Sequence, residues 1–365
     1  MKKTAIILGT LAIATIAFAG NPERQGSGGA AQLTINSFAR SSAMGWANGS
    51  SVSGIESMFM NAAGMDRSSV TTDMSFARTE WLVGSGIGIN TAGFTQKLGE
   101  DFDKGTIGVS IMQFGIKPIM ITTENNPHGG IGTYRVNMTN IGVGYSKSFS
   151  KGVSAGIMVR AVSEGIPDAS AFGLSLDAGV QYATTIKPVV GGVKSDDFKI
   201  GVSLKNIGGD MRHTGQGLTY KAILSDGADD ITRTVNGRAE AFKLPALLNI
   251  CASYDIQLDK DKSVYNNRLT LAAGVTTFAF QADQINLGME YSYKDFISFR
   301  AGYAIQEGSF GSWEERTSAF TGLGAGMSYD VHTNGGKVVS FNYSYRHSNP
   351  FSGAHTFGLR FGLGE

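Results

Sequence analysis

The chain has 365 residues, with 31 Lys and Arg against 30 Asp and Glu, so its net charge is +1 and a bulk electrostatic pull on nucleic acid is excluded. One cysteine, Cys251, excludes an internal disulfide framework. A hydrophobic content of 42% at a mean hydropathy of −0.04 is too polar for a bundle of membrane helices, while 50 Gly against 7 Pro suit a large sheet with tight turns.

The chain opens with Lys2 and Lys3, an apolar run from Ala5 to Phe18, and Ala17-Phe18-Ala19 before Gly20. These are the three parts of a secretory signal peptide over 1–19, with a mature start near Gly20. No cysteine follows that site, which argues against a lipoprotein anchor. No later apolar run reaches the ~18 residues of a membrane-spanning helix, yet an exported chain can cross an outer membrane as a closed barrel.

Residues 21–29 are polar and glycine-rich and read as a flexible leader. From Ala30 to Met65 two-residue alternation is absent, and short helical or irregular pieces are expected between Ser and Gly. Such a stretch cannot face lipid, so it belongs at the mouth of the barrel or inside it. The expected organisation is a signal peptide over 1–19, a leader and plug-like lumen segment over 20–66, and an outer-membrane barrel over 67–365.

Beyond Met65 the chain alternates with period two, as strands do when one face is apolar and the other small or polar. Phe172, Leu174, Leu176, Ala178, Val180 and Tyr182 interleave with Gly173, Ser175, Asp177, Gly179 and Gln181. The same reading fits Ile285–Lys294, Ile297–Ile305, Val339–Arg346 and Thr356–Leu363. The polar face carries Gly, Ser, Thr and Asn with few charges, which suits a crowded lumen better than bulk water. About fourteen strands are expected, near 70–81, 85–97, 105–122, 132–149, 152–163, 170–184, 197–207, 243–257, 265–280, 284–294, 296–306, 317–330, 337–347 and 353–363. An even number returns the chain to the side it started from. Tight periplasmic turns at Ser150-Lys151 and Asp295 oppose long outer loops at Thr123–Ile131, Gly208–Ala241 and Gln306–Arg316. Two connections break that asymmetry, a long one at Thr185–Asp196 and a short one at Asp283. Trp81, Tyr145, Tyr182, Tyr254, Tyr291, Tyr329 and Tyr345 fall near strand ends, where interfacial aromatics are expected.

The stretch Ala39–Met65, ARSSAMGWANGSSVSGIESMFMNAAGM, resembles the opening motif of the PorV/PorQ family and, more distantly, of FadL-type outer-membrane proteins. Its matching residues are Met44, Gly45, Asn61, Ala63 and Gly64. The likeness continues in order through Glu80-Trp81-Leu82, Gln113-Phe114-Gly115, Met158-Val159-Arg160, Leu176-Asp177-Ala178, Lys205-Asn206-Ile207-Gly208 and Phe242-Lys243-Leu244-Pro245, and so covers nearly the whole mature chain. Ala62 stands where that family carries proline, and the chain runs past Phe361 to Glu365 instead of ending on an aromatic residue.

No catalytic constellation is present. Gly84-Ser85-Gly86-Ile87-Gly88 and Gly322-Leu323-Gly324-Ala325-Gly326 lie within alternating strands, with no helix after them to seat a phosphate. His128, His213, His332, His347 and His355 lack metal-ligand spacing, and no cofactor is expected. Arg160, Asp177, Glu290, Arg300, Arg346 and Arg360 are lumen charges that form an internal polar ladder or line a conduit.

The resemblance implies a non-enzymatic outer-membrane component of type IX secretion. It would take cargo bearing a C-terminal β-domain from the translocon and pass it to the surface attachment machinery. The outer loops Thr123–Ile131, Gly208–Ala241 and Gln306–Arg316 are then the candidate docking surface, the long one carrying Arg212, Asp226, Asp229, Asp230, Arg233 and Arg238, and the bilayer is the other partner. The alternative is a FadL-like transporter of hydrophobic small molecules such as long-chain fatty acids, with Phe38, Trp46, Ile55, Met58, Phe59 and Met60 as pocket or gate.

Overall fold

The computed structural model describes residues 20–99, 103–150, 152–186, 197–225, 230–259, 266–312, 314, 318, 322–333, 336–348 and 351–364. The signal peptide expected over 1–19 lies outside them. Fourteen strands form one closed antiparallel barrel. They are β1 (Thr72–Trp81), β2 (Ile87–Lys97), β3 (Thr106–Ile116), β4 (Asn137–Ser148), β5 (Val153–Ile166), β6 (Ala169–Thr184) and β7 (Phe198–Gly208), followed by β8 (Leu247–Gln257), β9 (Asn267–Phe278), β10 (Gln284–Tyr293), β11 (Ile297–Gln306), β12 (Gly322–Thr333), β13 (Lys337–Arg346) and β14 (Ala354–Leu363). Each strand pairs with its sequence neighbour, and β1 closes on β14 from Thr72↔Leu363 to Glu80↔His355. Closure leaves no edge strand, which is the condition for a sheet to sit in hydrocarbon.

The alternation sorts side chains as expected. On β4, Ile141, Val143 and Tyr145 are exposed on the outer wall, while Asn140, Gly142, Gly144 and Ser146 are buried in the lumen. No helix among the described residues is long and apolar enough to cross a membrane, so the strands do it. The third expected strand is shorter than 105–122, because β3 stops at Ile116 and Ile119–Met120 pairs instead with Thr133–Tyr134 outside the barrel. The long outer loop is not plain coil. Thr219–Ser225 pairs with Asp230–Asn236 as a hairpin, and Met211–Arg212 with Ala241–Phe242.

Trp81 corrects the interfacial-aromatic reading. Its parity on β1 turns it into the lumen, where it is buried in an apolar cluster instead of meeting lipid headgroups. Residues 20–29 also depart from a flexible leader, because they are held along the outer rim. Gly29 N–H donates to Lys243 O at 3.0 Å, and the Arg24 guanidinium lies 4.7 Å from the centre of the Phe280 ring.

From there the chain descends inside the barrel as a plug of short pieces, α1 (Ala39–Ala43), α2 (Ser57–Met60) and 3-10 turns at Ala31–Thr34, Ala47–Ser50, Gly54–Glu56 and Ala62–Arg67. It leaves at the end where β1 begins. There Arg67 donates to Ser154 Oγ at 2.7 Å and Gly152 O at 2.6 Å, and Asp66 accepts from Ser148 N–H at 2.8 Å.

Candidate functional site

The lumen is the site, and its shape follows from glycines on the wall. A Cβ added at Gly302 would lie 2.2 Å from the Met44 carbonyl carbon, at Gly156 2.5 Å from Ala62 O, at Gly201 2.5 Å from Gly49 O, and at Gly324 2.7 Å from Ser42 O. Plug backbone therefore rests directly on wall backbone on four strands, β5, β7, β11 and β12. No side chain separates the two, so the plug has one seat.

On the β1–β5 side the seat is apolar. Phe38, Ile55, Met58, Phe59 and Met65 of the plug pack with Trp81, Ile89, Met112, Phe114 and Met158 of the wall. Phe38 and Phe59 lie ring on ring at 5.4 Å. Each such side chain removed from water contributes about 1.5–3 kcal/mol. Within this region one ion pair is sealed away from water, Arg160 Nη2 to Asp177 Oδ2 at 3.0 Å, with both side chains 4% exposed.

The β9–β14 side is charged. Glu290 on β10 receives Arg40 from α1 at 3.0 Å and Arg300 from β11, and Arg268 from β9 stands 3.9 Å away. Arg360 Nε donates to both oxygens of buried Asp73, at 2.9 and 3.1 Å. Arg300 also donates to Ser328 Oγ. Guanidinium forks fixed on carboxylates hold their geometry, and space is left between them. One cavity of about 180 Å³ is lined by Phe38, Ile55, Arg40, Glu290, Arg300 and Arg360, among others. A second, of about 570 Å³, is lined by Arg67, Lys199, Asp255 and His332 as well as Arg40, Arg268 and Glu290.

The smaller cavity meets the barrel wall at Phe76, Asn342, Gly358 and Leu359. The same four residues line a groove of about 340 Å³ on the lipid side, whose other walls are Arg78, Met327, Tyr329, Phe341, Tyr343 and Phe357. Gly358 faces the lumen with no side chain, so the wall is one backbone thick there. A Cβ added at Gly358 meets nothing nearer than Asn342 Cβ at 3.4 Å.

The residues singled out by motif divide between two places. Met44, Gly45, Asn61, Ala63 and Gly64 all lie in the plug and hold it. Asn61 Nδ2 donates to Gly49 O, Val180 O and Val202 O at 3.2, 3.0 and 3.3 Å, and its Oδ1 accepts from Ala63 N–H at 3.2 Å. Gly45 at φ 59° lies against the Tyr303 backbone, and at Gly64 a Cβ would sit 2.2 Å from Val52 O. Asn206, at φ 60°, and Gly208 stand instead at the outer end of β7. There Asn206 N–H donates to Asp177 Oδ1 at 2.6 Å across a register shift between Leu176 and Ala178. Asp177 thus joins this turn to the Arg160 pair.

Among the suggested pocket residues, Phe38, Ile55, Met58 and Phe59 come together in the apolar cluster, while Trp46 and Met60 lie elsewhere. The Trp46 ring carries the Arg346 guanidinium 3.7 Å above it. On the outer loop, Arg233 and Arg238 are exposed and Arg212 is half-buried, while Asp226 and Asp229 lie outside the described residues. Arg40 and Asp73 were not among the expected lumen charges. Only Asp73 carried a legible signal, since it stands on the lumen parity of β1, next to the β14 face that bears Arg360.

No family model matches this chain, and no curated protein matches it. Among solved structures it is similar to the toluene transporter TodX of Pseudomonas putida, at TM-score 0.54 and 13% identity over 90% of this chain and 97% of that one. It is also similar to the toluene transporter TbuX of Ralstonia pickettii, at TM-score 0.52 and 14% identity over 90% of this chain and 98% of that one. At such identity the likeness is one of fold. The chain is an outer-membrane barrel of FadL-like fold.

Proposed function

We propose that this barrel admits small apolar molecules from the outer surface and releases them sideways through its wall at Gly358. The apolar cluster of plug and wall supplies greasy contact, and the cavity beside it touches Phe38 and Ile55 on one side and Phe76 and Leu359 on the other. The observation that carries the reading is the sharing of Phe76, Asn342, Gly358 and Leu359 between that cavity and the lipid-side groove. The same cavity is lined by Arg40, Glu290, Arg300 and Arg360, so an apolar solute passes beside guanidinium and carboxylate groups that already satisfy one another. The transported class is hydrophobic small molecules, of which the toluene handled by the two neighbours and long-chain fatty acids are examples.

The test is saturable binding and vesicle uptake of a fluorescent fatty acid and of toluene by purified barrel. Gly358→Phe fills the open space at the thin wall and is expected to abolish uptake while leaving the melting temperature close to wild type. Uptake unchanged in that variant, or no saturable binding by the wild type, overturns the reading.

A second reading is favoured by the motif residues themselves. Met44, Gly45, Asn61, Ala63 and Gly64 serve to keep the interior filled, and the outer hairpin exposes Tyr220 and Ile223. Under this reading the barrel is a type IX secretion component that receives a cargo β-domain on that hairpin by strand addition. Detergent pull-down of translocon or attachment proteins, lost on deletion of 219–236, supports it, and absence of any secretion component overturns it.

A further inference from the structure

On the lipid face beside Gly358 stands one guanidinium. The outward residues of β1 run Met74, Phe76, Arg78 toward the outer rim. In register, Phe76 continues into Ala92, Ile111 and Ile141, an apolar row, while Arg78 continues into Asn90, Gln113 and Thr139, a polar row two residues nearer the rim. On its other flank Arg78 meets Phe357 and then Tyr343, and these three form the outer row of the lipid-side groove, above Phe76, Leu359 and Phe341. Arg78 thus stands where a polar surface on β1–β4 joins an apolar trough on β12–β14. Its guanidinium is held in place. It lies over Gly88 of β2, where a Cβ would stand 2.5 Å from Nη2 and 2.8 Å from Cζ, and Nη1 donates to Asn90 Oδ1 at 2.7 Å. That is its one hydrogen bond among the described residues, and no carboxylate among them, Glu80 included, lies within ion-pair distance of it. A fixed guanidinium at the edge of hydrocarbon, with N–H donors to spare, invites an anion.

We propose that Arg78 and the groove bind one outer-leaflet lipid, an acyl chain lying on Phe76, Phe341 and Leu359 and a phosphate head on the Arg78 fork. The planar fork matches two phosphate oxygens. The tail is an acyl chain because this face meets the bilayer, where lipid is the solvent, and the cation stands in the outer row, on the side from which a headgroup approaches. The groove's floor is the thin wall at Gly358, so a seated chain covers the exit proposed above. That consequence rests on the transport reading, whereas the lipid site does not.

The experiment measures binding of phosphatidic acid with a fluorescent acyl chain to the mature barrel in neutral detergent. Saturable binding is expected, about tenfold tighter than that of phosphatidylcholine with the same chains, whose choline offsets the phosphate charge. Arg78→Gln is expected to weaken phosphatidic acid about tenfold, as the loss of one charge-assisted contact does, and to leave phosphatidylcholine unchanged. Met327→Trp narrows the groove with Arg78 kept and is expected to weaken both lipids. Equal binding of the two lipids by wild type, or phosphatidic acid binding unchanged in either variant, overturns the site. Displacement by oleate as readily as by phosphatidic acid itself overturns the phosphate assignment, and displacement by inorganic phosphate alone overturns the lipid assignment. Should Arg78→Gln fail to assemble, Met327→Trp and the two lipids decide it. No uptake is measured, so this site and the transport reading stand or fall separately.

Discussion

Against β1–β5 the plug is seated by packing, and against β9–β14 by charge, and the two lumen cavities open on the charged side. Thioether and aromatic side chains such as Met58, Met112 and Phe59 adjust until no gap is left, which is how interiors reach crystal-like density. Arg40, Arg268 and Arg300 converge on Glu290 from three elements and cannot close the space between their stems. The plug is thus solid where a barrel would otherwise be greasy and hollow where it is polar. Water or solute finds room only beside the charges.

The comparison breaks first at Arg160→Ala. This change leaves Asp177 buried without its cation inside the packed side, and should cost about 3–5 kcal/mol in thermal unfolding of the detergent-solubilised barrel. Phe59→Ala removes the ring that touches Phe38 and should cost about 3–5 kcal/mol. Gly302→Ala forces the Met44 backbone from its seat at about 1–3 kcal/mol, with rising single-channel conductance in planar bilayers as the plug loosens. Arg40→Ala on the charged side should cost less, about 1 kcal/mol, because Arg300 and Arg268 remain with Glu290. If Arg40→Ala released the plug more readily than Phe59→Ala, charge and not packing would be the anchor.

The smallest effect lies outside the bilayer. At the turn after β8, hydrogen bonds from Asn267 N–H (2.8 Å) and Asn267 Nδ2 (2.6 Å) hold the Asp259 carboxyl below its ordinary range. A depressed folded pKa means that its stabilisation is present above the unfolded pKa and is lost as pH falls through the folded one. An NMR titration of Asp259 should move back toward the ordinary carboxylate value in Asn267→Ala.

The strands were legible because lipid on one side and crowding on the other enforce a period of two over each pass. The lumen segment was legible because Ala30–Met65 lacks that period. Trp81 was misread because proximity to a strand end suggested an interface, while its parity with Ala77 and Thr79 already turned it inward. The Arg40–Glu290 pair was not legible, since the partners are 250 residues apart and no local pattern links a plug cation to a wall anion. Gly358 read as one more small lumen residue. Its importance comes from which cavities lie on its two faces, and that is a property of the closed barrel.

The direct seating of plug backbone on wall glycines bears on the order of assembly. Residues 30–70 are synthesised before any strand, yet their seats on Gly156, Gly201, Gly302 and Gly324 are spread over half the circumference. All four seats exist together only once β5 through β12 are in place, so the early segment must wait in the company of an unfinished cylinder before it can settle.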